Sequence, residues 1–247
     1  MKPLAGYSVV VTRPAGQAEA FCQGVERLGG HPLRLPAVEI EPIASDDTAD
    51  RRWDIVIFTS PNAVTHGNHF VQAGERLLAV GQKTAASLAD CGCADIDMPD
   101  GAPNSENLLD IPALQAVSGA RILIVKGQQG RRKLAETLAQ RQARVETAEV
   151  YRRVMPAAVP SQLAQLFAHP GRTVLAFTSG DIAQNLVTMV GSSRRERLLR
   201  LPLVVGSPRI GDITNELGFR QAPEIADSPA DAPMLEAVRR LVSRLKR

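Results

Sequence analysis

A chain of 247 residues has room for one or two domains. With 44% hydrophobic residues and no apolar stretch near 18 residues, a membrane-spanning helix is excluded and a buried core is expected. A net charge of +3 and only 9 aromatic residues argue against a nucleic-acid groove or a stacking platform, and leave an anionic small molecule as the simpler partner.

The N-terminal stretch MKPLAGYSVVVTRP is too brief and too early broken by Arg13 for a secretory leader, so a cytoplasmic protein is expected. Cys22, Cys91 and Cys93 form no C-x-x-C pair and leave one thiol over, which reads as reduced. The first β-branched run, SVVVT (8–12), precedes a helical pattern of Ala18, Phe21, Cys22, Val25 and Leu28 that Gly29 and Gly30 stop. HPLRLPAVEIEPI (31–43) is extended, Pro-marked and partly alternating, and is read as a linker.

DIVIFTS (54–60), RLLAVG (76–81), RILIVKG (121–127), TVLAFTS (173–179) and LPLVVGS (201–207) follow, all apolar without polar alternation. Such runs predict strands covered on both faces, hence parallel sheets with helices on each side. RVETAEVYRRVMPAAVP (144–160) is read as a second linker. After the last run, Ile210, Ile213 and Leu217 keep helical spacing before Gly218. The repeated strand-helix pattern is that of an α/β protein.

Ser60-Pro61 and Ser207-Pro208 suit an N-cap and a first helical position. Helix starts of this kind offer unpaired N–H groups and a partial positive charge to carboxylate or phosphate. Three strand-and-turn units also occur twice in the same order, which suggests two similar halves. VTRPAGQAEAF, FTSPNAV and AVGQKTAASLADCG are echoed by VKGQQGRRKLAETL, FTSGDIAQNLV and VVGSPRIGDITNELG.

Taken in order, VTRP, FTSPNAV, AVGQKTA, SENLL, VKGQQGRRKL, EVYRR, FTSGD and VVGS resemble the uroporphyrinogen-III synthase family over nearly the whole chain. The resemblance implies two doubly wound parallel-sheet domains joined by a two-stranded linker. One is discontinuous (1–37 with 156–247), the other is 41–150, and the linkers fall near 38–40 and 151–155, with the active site in the cleft between the domains. It also implies a cofactor-free and metal-free reaction. Hydroxymethylbilane, an octacarboxylate, loses its hydroxyl, closes through a spiro intermediate and reopens with ring D inverted. A monomer that receives its substrate from hydroxymethylbilane synthase is expected, with no nucleic-acid or membrane partner.

Tyr151 in EVYRR matches the tyrosine that the family places at the cleft, and a phenol is ordinarily protonated near pH 7. It reads either as the general acid for the departing hydroxyl or as an ordinary linker aromatic. Ser60, Asn62, Thr84, Ser179, Gly180 and Ser207 are the expected substrate-loop residues; helix capping alone is the plainer reading, and both hold together. Arg13 either grips a substrate carboxylate or lies in solvent. Lys126, Arg209, Ile210 and Asp181 depart from the family pattern. The alternative function is a non-catalytic anion or tetrapyrrole sensor on the same scaffold.

Other motifs are set aside. Gly81-Gln82-Lys83-Thr84 lacks the first glycine of a phosphate loop, and Gly127 with Gly130 is only G-x-x-G. His66 and His69 have no third ligand in the sequence nearby. Arg194, Arg195, Arg197, Arg200 and the basic tail from Arg239 read as solvated helix faces.

Overall fold

The computed structural model describes residues 2–44, 51–101, 103–129, 132–157 and 159–247, so Gly130 of the G-x-x-G pattern lies outside the described residues. The chain begins β1 (Ser8–Val11), α1 (Glu19–Arg27), β2 (His31–Arg34), β3 (Glu39–Pro42). It continues β4 (Ile55–Phe58), α2 (Pro61–Gly67), β5 (Arg76–Ala79), α3 (Gln82–Asp90), β6 (Ile96–Asp97), α4 (Ser105–Leu109), β7 (Arg121–Gly127), α5 (Lys133–Gln140) and β8 (Arg144–Val154). Then come α6 (Pro160–Leu166), β9 (Thr173–Phe177), α7 (Gly180–Val190), α8 (Ser192–Leu198), β10 (Leu203–Val205), α9 (Pro208–Glu216), β11 (Glu224–Ile225) and α10 (Asp231–Leu245).

These elements separate into two compact units, Met1–Glu39 with Val154–Arg247, and Ile40–Arg153. In the first unit the sheet runs β11-β10-β9-β1-β2, with all neighbouring strands parallel. In the second it runs β3-β8-β7-β4-β5-β6, with β8 through β6 parallel.

Burial explains the unbroken apolar runs. Along β9, Val174 and Ala176 pack beneath α1 and α10, while Leu175 and Phe177 face the side chains of α6 to α9. Along β4, Val56 and Phe58 meet Ala63, Val64, Ala85 and Leu88 from α2 and α3, and Ile55 and Ile57 meet leucines of α4 and α5. A strand with apolar neighbours on both sides has no place for a polar alternate residue.

Both segments read as extended linkers carry strands of the two sheets. Residues 31–34 form an edge strand of the first sheet and 39–42 an edge strand of the second, with 35–38 between them, and 144–154 is an eleven-residue strand lying between β3 and β7 in the second sheet. The alternating charges of β8 belong to a strand near the sheet edge, where its burial pattern is mixed rather than uniform. The repeated motifs also do not divide the chain into a front half and a back half. Each unit holds one complete set: VTRP, FTSGD and VVGS end β1, β9 and β10, whereas VKGQ, FTSP and AVGQ end β7, β4 and β5. The order β2-β1-β9-β10-β11 therefore corresponds to β8-β7-β4-β5-β6, the same sheet with its chain entered at a different strand.

Two arginines of α8 are not merely solvated. Arg195 donates to Leu217 O (3.0 Å) at the end of α9, and Arg197 donates to Phe167 O (3.2 Å) at the end of α6 while its guanidinium lies 4.8 Å from the Phe167 ring centre. Each satisfies a carbonyl that a helix terminus leaves open.

Candidate functional site

In open parallel sheets, ligands gather beyond the carboxyl ends of the strands where the winding direction reverses. That reversal lies between β1 and β9 in the first unit and between β4 and β7 in the second. Every expected site residue except Tyr151 follows the end of a strand in one of these sheets, and Tyr151 lies near the end of its own.

In the second unit, Ser60 leaves β4 in extended conformation (φ −167°, ψ 161°) and caps α2, its Oγ accepting from Ala63 N at 3.1 Å, with Pro61 at the first helical position. The same Oγ lies 3.1 Å from the Tyr151 hydroxyl. Tyr151 is brought there by register. Residue 126 pairs with 149 but Gly127 pairs with Tyr151, so one residue of β8 is skipped at its carboxyl end, and Gln128 N donates to Tyr151 O at 2.9 Å. Gly127 makes room for the ring, because a Cβ there would lie 2.5 Å from Tyr151 Cζ and 2.9 Å from its hydroxyl.

Tyr151 is thus a sheet residue rather than a linker residue, and it is 6% exposed. The His66 ring is tilted beside it, centres 6.2 Å apart, while the His69 ring lies tilted against Phe70, centres 4.2 Å apart. Asn62 is half-buried in the first turn of α2. Thr84 is 2% exposed inside α3, so solvent barely meets its hydroxyl; Gln82 and Lys83 are the exposed residues of that turn. Lys126 is buried, its Nζ 3.7 Å from Glu149 Oε1.

In the first unit, Ser179 caps α7 and Ser207 caps α9, each Oγ accepting at 3.4 Å, from Ile182 N and Ile210 N. Gly180 lets α7 approach α9, since a Cβ would meet Ile213 Cδ1 at 2.4 Å. Arg13 does not lie in solvent: it is ion-paired with Asp231 in the first turn of α10, and its guanidinium sits 4.7 Å from the Phe21 ring centre. Asp181 and Arg209 are exposed in the first turns of α7 and α9.

The glycines of the repeated motif serve one purpose in both units. A Cβ at Gly81 would lie 2.4 Å from Pro103 Cβ, and one at Gly206 would lie 2.9 Å from Pro229 Cα, so in each unit a proline segment crosses the turn at backbone distance. A concavity on the second unit, lined by Asn68, Gln72, Glu75, Cys91 and Cys93 among others, contains none of the expected site residues.

Residues 19–235 match the model of the family described as uroporphyrinogen-III synthase HemD. The chain belongs to the uroporphyrinogen-III synthase family. The uroporphyrinogen-III synthase of Salmonella typhimurium (strain LT2) is 31% identical over 245 residues, covering 94% of this chain and 99% of that one. The uroporphyrinogen-III synthase of Escherichia coli (strain K12) is 28% identical over the same length and the same shares. Two crystal structures carry the same fold: a mutant synthase from the extreme thermophile Thermus thermophilus (TM-score 0.62, 21% identity, 97% of this chain and 100% of that one) and the enzyme of Helicobacter pylori 26695 (TM-score 0.63, 16% identity, 94% and 97%). Among the described residues of this synthase-family chain, no helix is long and apolar enough to cross a membrane.

Proposed function

We propose that this chain is a uroporphyrinogen-III synthase, cyclising hydroxymethylbilane with inversion of ring D and loss of water. Tyr151 is the proton donor. Its phenol protonates the departing hydroxyl, which leaves as water as the electrons of the adjoining pyrrole close an azafulvene. The substituted carbon of ring D attacks that centre to give the spiro intermediate, whose fragmentation and reclosure invert the ring. General acids of this kind contribute roughly 10²–10⁴-fold.

The harder task is one of shape, because the free bilane closes by itself to the uninverted isomer. Holding reacting atoms in place supplies about 7–11 kcal/mol in favourable cases. Main-chain N–H groups at the turns that Ser60, Asn62, Ser179, Gly180 and Ser207 begin would take up the acetate and propionate arms, each hydrogen bond to a charged group giving roughly 1.5–3 kcal/mol. Thr84 contributes through its turn more than through its buried hydroxyl, and Arg13 contributes only if a substrate carboxylate competes with Asp231. The protein works as a cytoplasmic monomer supplied by hydroxymethylbilane synthase.

The observation that supports this reading most is the Tyr151 phenol at the carboxyl edge of the β4–β7 reversal, 3.1 Å from the capping Ser60. To test it, hydroxymethylbilane is generated in situ with the protein present, the products are oxidised, and the porphyrin isomers are separated. Isomer III is expected; isomer I alone would overturn the assignment.

A further inference from the structure

The bond between Ser60 Oγ and the Tyr151 hydroxyl has two possible directions, and the direction decides where the phenol proton points. Ser60 Oγ accepts from Ala63 N at 3.1 Å, at the positive end of α2. A hydroxyl that accepts one hydrogen bond is polarised into a better donor, so a chain running from Ala63 N–H through Ser60 to Tyr151 is cooperative. The opposite direction makes Ser60 Oγ a double acceptor and leaves its own hydrogen without a described acceptor. Ser60 is the described side-chain hydrogen-bond partner of the phenol, and the His66 ring lies tilted beside the Tyr151 ring. The ring lies against Gly127 at a distance no side chain there would allow.

We propose that Ser60 is a positioning residue whose hydroxyl donates to the phenol oxygen of Tyr151, so that the phenol proton is turned away from the protein and toward bound substrate. The inference rests on the reading of Tyr151 as proton donor, and goes beyond it by giving a capping serine a second task. Accepting a hydrogen bond also eases the phenol's loss of its proton, because the developing negative charge on oxygen meets a donor already in place.

The bond is tested without substrate. Tyr7 and Tyr151 are the two tyrosines of the chain, so a Tyr7→Phe protein carries a single one. The Raman Fermi doublet of its ring reports whether the phenol accepts or only donates. In Tyr7→Phe the doublet is expected to be that of an accepting phenol. Adding Ser60→Asp keeps a good helix cap but offers only acceptor oxygens, and should convert the doublet to that of a phenol that donates. Ser60→Thr, which keeps both cap and hydroxyl, should restore the accepting pattern. A donor-only doublet in Tyr7→Phe itself, or no change on adding Ser60→Asp, would refute the proposal.

Kinetics supply the second arm: Ser60→Ala should lower kcat about tenfold with KM within about twofold, whereas a change confined to KM would refute a positioning role. The two readings fail separately. Full turnover in Tyr151→Phe would remove the acid role and leave the doublet result standing.

Discussion

The two units have one sheet plan and different chemistry at equivalent rims. Where β7 ends in Gly127, open enough to receive an aromatic ring, β1 runs on into Arg13, whose guanidinium is committed to Asp231 and the Phe21 face. Where Ser60 touches a phenol, its counterpart Ser179 has Ile182 N as its described partner. Both rims keep capped helix starts and proline-crossed glycines, which are requirements of the fold. Only one has a phenol beside its capping serine among the described residues. The shared sheet plan thus keeps capped turns in both units and leaves the proposed acid in one.

The sharpest way to break this asymmetry is Tyr151→Phe, expected to lower turnover at least about tenfold while leaving the ring in place. Thermal unfolding should barely move, because the lost hydroxyl has a single described partner; unchanged turnover would make the residue a packing aromatic. Gly127→Ala ranks next. Its Cβ has no room beside the ring, so the phenol must shift, and a several-fold fall in kcat exceeding the loss in thermal stability is expected from paired assays.

On the other rim, Asp231→Asn should cost about 1–3 kcal/mol in denaturant unfolding by weakening the hold on the mostly buried Arg13. Ser179→Ala should cost about 1 kcal/mol of stability through the lost cap, plus a modest rise in KM, without the kcat effect expected of Ser60→Ala. The smallest effect concerns the thiols. Burial pushes the Cys22 and Cys93 thiols up, so Cys91 should react first with a disulfide reagent. Because the folded state holds the Cys22 proton more tightly than the unfolded chain does, its contribution is complete below the ordinary thiol range and is lost as pH rises through the raised value. Urea titrations of Cys22→Ala should accordingly show a flatter alkaline limb.

The six apolar strands are legible in the sequence because burial on both faces leaves no alternation to misread. Strand β8 is not, because Arg144, Glu146, Glu149 and Arg152 give an edge-side strand the look of a linker. The dealing of motifs between units is carried by the discontinuous domain that the family resemblance implies and not by local periodicity, since sheet order is set by long-range pairing. Ser60 and Tyr151 are each legible, but their contact spans 91 residues and depends on a one-residue irregularity opposite Gly127. The partner of Arg13 lies 218 residues away, beyond any local signal.

The position of β1 has a consequence for biosynthesis. Its flanking strand β9 is encoded after the whole of the second unit, and Thr12 Oγ1 donates to Ala176 O across 164 residues. On the ribosome, the middle of the first sheet must wait, half-built, while the inserted body is made and has the chance to fold ahead of it. Nascent chains long enough for Arg153 to clear the ribosome should therefore resist protease within β4, β5, β7 and β8 while the leading segment is still cut.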